Sequence, residues 1–117
     1  MLSLNGSYRF YMRRDFTDLR KGFDSLSGIV RNEWEKNPLS GDIFIFFNRR
    51  RNQVKLLHWE GDGFAVYFKR LERGTYELPE LTNANHVELT SDSLMLILRG
   101  ISLRSIKRRI RYAHVQN

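Results

Sequence analysis

Residues 41–80, GDIFIFFNRRRNQVKLLHWEGDGFAVYFKRLERGTYELPE, carry apolar runs dense in aromatic and β-branched side chains with turn residues between them. The runs fall at 43–47, 54–59, 64–68 and, more briefly, 75–78, which predicts a four-strand antiparallel meander. Glu60-Gly61-Asp62-Gly63 supplies the positive-φ positions of a tight hairpin, and Gly74 does the same further on. The loop at 48–53 is different, because it places Arg49, Arg50 and Arg51 side by side at a hairpin tip. Alternation sets Val54, Leu56 and His58 against Lys55, Leu57 and Trp59, and Phe64, Val66 and Phe68 against Ala65, Tyr67 and Lys69. Neither strand is cleanly amphipathic, so one sheet face is expected to be fully covered and the other partly covered by aromatics and lysine stems.

Around this sheet the pattern predicts a first strand over 7–12, placed at the sheet edge, and a helix after it. Leu19, Phe23, Leu26 and Val30 recur at helical spacing beside Ile29 and Trp34, with Thr17 the candidate N-cap and Asn37-Pro38 the stop. Gly22 offers another start, near Phe23 or Asp24, which leaves Arg20 and Lys21 in an exposed turn before a helix N-terminus that favours a phosphate. Beyond a loose stretch, 86–89 reads as a short strand or a linker. Thr90 then caps a second helix, Leu89 and Leu94 form a hydrophobic staple, Asp92 sits in the first turn, and Gly100 ends it, with Ile101 folding back on Leu96.

Composition narrows the function classes. The 117 residues suffice for one domain with its own core, and the absence of cysteine excludes disulfides and thiolate zinc sites and fits a reducing compartment. No apolar leader or membrane-length run is present, so a soluble, cytoplasmic protein without a membrane partner is expected. The formal charge of +7 is concentrated: Arg99, Arg104, Lys107, Arg108, Arg109 and Arg111 stand in a C-terminal stretch free of acids, and the first 98 residues hold fourteen basic against thirteen acidic side chains. A near-neutral body with a basic tail suits a polyanion such as DNA, with a solvated chain end as the lesser alternative. A helix over 102–111 would place Leu103, Ile106 and Ile110 on one face, ready for a protein partner as readily as for DNA.

Candidate chemistry is sparse. His58, Glu60 and Asp62 form the one close group of ligand-type side chains, but no second pair of ligands follows at a metal-site spacing and hairpin-end polarity explains them better than a divalent cation does. No phosphate-cradling glycine loop and no nucleophile–base spacing is legible, so no catalytic residue, metal site or cofactor is assigned. The positive signal is a basic perimeter interleaved with rings. Arg49, Arg50 and Arg51 crown one hairpin, Lys69, Arg70 and Arg73 leave the third strand of the meander, and Trp59, Tyr67, Phe68 and Tyr76 lie on or beside the sheet. Guanidiniums there can neutralise phosphates, and exposed rings can stack unpaired bases.

Four linked motifs, TDLRKGFDSL at 17–26, PLSGDIFIF at 38–46, KLLHWEGDGF at 55–64 and KRLERG at 69–74, followed by LMLILRG at 94–100, closely resemble the TnpB accessory proteins of the IS66 family of bacterial insertion sequences. Those proteins are unrelated to the much longer RNA-guided nucleases that share the label. The resemblance implies a non-catalytic accessory role in transposition beside a separate transposase and a second accessory protein. It places Arg20, Lys21, Lys69, Arg70 and Arg73 inside the motifs, where they join Arg49, Arg50, Arg51 and the tail residues Arg104, Lys107, Arg108, Arg109 and Arg111 as candidate DNA contacts. The alternatives are an interaction module that binds the transposase or the other accessory protein without touching DNA, and a metal-assisted nuclease built on His58, Glu60 and Asp62. The expected architecture is α+β: a mainly antiparallel sheet of about five strands with a central meander, one long helix on one face and a shorter second helix. These make a domain over 1–101, followed by a basic extension over 102–117.

Overall fold

A computed structural model describes residues 8–80 and 83–100. Five strands and two helices follow one another as β1 (Phe10–Arg13), α1 (Phe23–Asn32), β2 (Ile43–Phe47), β3 (Gln53–Trp59), β4 (Phe64–Arg70), β5 (His86–Leu89) and α2 (Ser91–Leu98). The strands form one sheet in the order β4-β3-β2-β1-β5. The expected α+β class holds at this level, with a mixed sheet.

β2, β3 and β4 make the antiparallel meander, with Ile45 opposite Leu56 and Leu57 opposite Val66. Its expected fourth strand is absent. Residues 75–78 instead pack on the α2 side of the sheet, where the Tyr76 ring meets Phe47 at 5.4 Å and its backbone N–H donates to Arg51 O at 2.6 Å. Burying one large ring against the core outweighs laddering for so short a run before Pro79. β1 is likewise not an edge strand. It pairs in parallel with β2 and antiparallel with β5, because the chain returns through α1 before entering β2.

The parallel pair puts β2 near the sheet centre, and all five of its side chains are buried. Ile43, Ile45 and Phe47 join Phe10, Met12, Val54 and Leu56 on one face, under α2 and the 71–78 segment. Phe44 and Phe46 join Tyr11, Leu57, Leu26, Val30 and Trp34 on the other, under α1. Both faces are therefore covered, and the sequence expectation of one partly open face applies only to β4, where Tyr67 and Phe68 remain exposed.

α1 is shorter than its apolar pattern predicts. It starts after Gly22, the later of the two anticipated starts, and Thr17 is no cap: it is buried in the preceding loop with its N–H on Phe47 O at 2.8 Å. It ends before Asn37-Pro38 because Glu35 turns to φ 54° and Lys36 N–H reaches back to Val30 O. That turn lays Trp34 flat on Phe46, with ring centroids 5.6 Å apart. α2 matches its punctuation: Thr90 Oγ1 accepts from Ser93 N–H at 3.1 Å, and Gly100 follows at φ 76°. The Leu96–Ile101 contact, the 102–111 helix and the basic extension lie outside the described residues. No helix among those described is long and apolar enough to cross a membrane.

Candidate nucleic-acid interface

The 48–52 loop is held by one asparagine. Asn48 Oδ1 accepts from the backbone N–H groups of Asn52 and Gln53, both at 3.0 Å, and its Nδ2 donates to Asn52 Oδ1 at 2.6 Å. Arg51 closes the turn at φ 56°, a left-handed conformation that costs a non-glycine residue about 1 kcal/mol. A tied loop presents Arg49, Arg50 and Arg51 outward. None of the three guanidiniums has a hydrogen-bond or ion-pair partner among the described residues.

Beside this tip runs the loop between β1 and α1. Arg13 anchors it: Nε and Nη2 grip the Glu33 carboxylate at 2.9 and 2.8 Å, and Nη1 donates to Thr17 Oγ1 at 3.2 Å. Glu33 also accepts from Trp34 Nε1 at 3.0 Å, and the Arg13 hydrogen bonds hold its carboxyl below the usual range against the opposing effect of burial. Further along, Asp18 and Arg20 form a bidentate pair, 2.7 Å at its shortest, that keeps the Asp18 carboxyl well below the usual carboxylate range.

The two loops and the end of β4 enclose a groove of about 560 Å³. Phe16 and Arg20 stand on one wall, Arg49, Arg50 and Gln53 on the other, and Phe68 comes from the sheet. Phe16 is 42% and Phe68 52% exposed, both high for phenylalanine. Lys55 lies against Phe68 with Nζ 5.6 Å from the ring centroid, and donates to Lys21 O at 3.2 Å. Arg70 is opposite Gln53 in the β3–β4 register, so it shares this end of the sheet, although it is paired with Glu72 at 3.3 Å.

Of the predicted contact residues, Arg20, Arg49 and Arg50 thus line one groove, with Lys21, Arg51 and Arg70 around it. Lys69 does not join them. It points to the opposite face, where Nζ donates to Leu98 O at 3.2 Å and serves the C-terminus of α2. Arg73 is exposed in the turn after β4, while Arg104, Lys107, Arg108, Arg109 and Arg111 lie outside the described residues. Among the proposed stacking rings, Tyr76 is fully buried and Trp59 packs edge-on against Phe64 at 5.0 Å, so only Tyr67 and Phe68 are exposed. Phe16 and Gln53 were not legible as site residues, since one is a single ring in a charged connection and the other a polar residue at a strand start. His58 is buried in β3 against Tyr8 while Glu60 and Asp62 are exposed in the next turn, so the candidate metal group does not assemble. No cluster of three or more metal-ligating side chains occurs among the described residues. A second groove, about 460 Å³ at the start of α2, sets Arg9 against Glu88 and has no surplus of cations.

A family model described as IS66 Orf2-like protein matches residues 8–108, which takes in every element of the fold and the whole groove. The chain belongs to the IS66 Orf2-like family. Two similar proteins come from Sinorhizobium fredii. Uncharacterized protein y4hO is 31% identical, over 89% of this chain and 90% of its own length. Uncharacterized protein y4jC is 24% identical, over 93% and 92%. No solved structure gives a significant match to this IS66 Orf2-like chain.

Proposed function

We propose that this protein is a non-catalytic accessory factor of insertion-sequence transposition that binds DNA phosphates through the Arg49–Arg50–Arg51 hairpin tip and the cations beside it. The observation that carries the reading is the set of three adjacent guanidiniums on a tied loop with no partner among the described residues. Unpaired arginines at a fixed position lose little on contact with phosphate and release its counterions. Lys21 extends the positive surface, and the basic residues between Arg99 and Arg111 add a sequence-independent electrostatic anchor. Arg20 and Arg70 contribute less, because Asp18 and Glu72 already pair with them.

The test is binding of the full chain to labelled element-end duplex and unrelated duplex between about 50 and 200 mM salt. Each phosphate contact adds about −0.9 to the slope of log affinity against log salt. An Arg49→Gln/Arg50→Gln variant is expected to flatten that slope by about 0.9 for every arginine that contacts a phosphate. Absence of binding to any duplex at the lowest salt would remove the DNA reading. The second reading, a module that docks on the transposase or the other accessory protein, is favoured by the exposed Phe23, stacked on Phe64 at 6.3 Å beside the outer strand β4. Co-purification with the transposase that survives Arg49→Gln/Arg50→Gln but is lost in Phe23→Ser would favour it.

A further inference from the structure

The geometry points to a more specific ligand for the groove between the 16–20 loop and the arginine hairpin: an unpaired nucleotide of single-stranded or locally opened DNA, its base against Phe68 and Phe16 and its phosphates on Arg49 and Arg50. This rests on the DNA reading above and narrows it. A site for intact duplex phosphates needs only surface cations, and two half-exposed phenylalanines between them add nothing to it. Rings beside cations are what a flexible strand uses, since every base has a face to stack and every linkage a charge to neutralise.

The groove has the three parts such a ligand needs. Its volume of about 560 Å³ lies within the roughly 300–1,000 Å³ of small-ligand sites. Three arginines line it against one aspartate, and that aspartate is already neutralised by Arg20, so the free charge facing the groove belongs to Arg49 and Arg50. The third part is a polar group for the base edge. The Gln53 carboxamide has no hydrogen-bond partner among the described residues, whereas the neighbouring Asn48 and Thr17 side chains are engaged in holding the loops. A free carboxamide can donate and accept at once against a base edge. Lys55 against Phe68 adds a cation beside the stacking position.

The walls are prepared rather than improvised. Asn48 fixes the hairpin, and Thr17 is tied to both Phe47 O and Arg13, so the groove exists before any ligand arrives and little ordering is needed on binding.

The experiment compares affinities of the full chain for a labelled single strand, the same sequence as intact duplex, and that duplex with a short single-stranded gap. The wild-type protein is expected to prefer the strand and the gapped duplex. Phe68→Ala should weaken both by about 5- to 150-fold, the factor of one stacked base, and leave the intact duplex within about twofold. Phe68→Trp should retain the preference, and Arg49→Gln should weaken all three DNAs alike. Should Phe68→Ala fail to fold, Phe16→Ala on the exposed loop carries the same comparison. Equal binding of strand and duplex, or a Phe68→Ala loss spread evenly over all three, overturns the inference while leaving DNA binding in place. Displacement of the strand by polyglutamate as readily as by unlabelled strand of equal charge also overturns it, in favour of an acidic protein segment. Failure to bind any DNA at low salt overturns both readings together.

Discussion

Glu33→Gln should destabilise the protein by about 2 kcal/mol at neutral pH. The Glu33 carboxylate accepts from Arg13 Nε at 2.9 Å, Arg13 Nη2 at 2.8 Å and Trp34 Nε1 at 3.0 Å. Side-chain exposures of 17% for Arg13 and 29% for Glu33 place the pair between surface and interior. A hydrogen bond to a charged group contributes about 1.5–3 kcal/mol, against roughly 0–1 for an exposed ion pair. Glutamine keeps the volume and one acceptor oxygen. It loses the charge and turns an NH2 toward a guanidinium, so about one charged hydrogen bond disappears. For a domain of this size the melting temperature should fall by about 8 °C, and the urea midpoint by about 1 M.

The pH dependence is the sharper part of this prediction. Because the Arg13 hydrogen bonds depress the folded-state pKa of Glu33, its stabilisation is fully present above the unfolded glutamate value of about 4.3. It is lost as pH falls through the lower folded value, while Arg13 stays charged throughout. The gap between wild type and Glu33→Gln should therefore be constant from about pH 7 to 5 and close below that. Urea titrations of both proteins across this range measure it. A gap under about 0.5 kcal/mol at neutral pH, or one that persists unchanged into acid, would refute the assignment of the Arg13–Glu33 pair as the anchor of the 14–22 loop.

Two other substitutions test the packing of the α2 face. Tyr76 is fully buried, its hydroxyl has no hydrogen-bond partner among the described residues, and burial pushes its pKa up to about 12, so Tyr76→Phe should stabilise the fold by about 1 kcal/mol in a urea titration. Thr90→Ala removes the acceptor for Ser93 N–H and should cost about 1 kcal/mol, read as a lower melting temperature with little change in the urea m-value.

Local chemistry carried a large share of the fold into the sequence. The β2–β3–β4 meander, the Gly61 turn, the later start of α1 at Gly22 and the Thr90 cap of α2 all depend on residues a few positions apart. Periodicity and turn residues report such features directly. The arginine hairpin was equally visible, whereas which of the sheet rings stay exposed, Tyr67 and Phe68 rather than Trp59 and Tyr76, came only from the packing. The partners of the cations were not visible: Arg20 is taken by Asp18, Arg70 by Glu72 and Lys69 by the end of α2, and only the first two lie close enough in the chain to have been suspected.

Tertiary packing decided the remainder. β1 lies between β2 and β5 because the α1 crossover brings the chain back in parallel, and a strand's neighbour is chosen by the whole set of faces to be covered. The 75–78 run gave up a place in the sheet because burying Tyr76 against Phe47 closed the α2 face. The groove, too, exists only in the folded chain. Phe16, Gln53 and Phe68 come from three separate segments, and long-range burial rather than local propensity brings them to the same end of the sheet as Arg49 and Arg50.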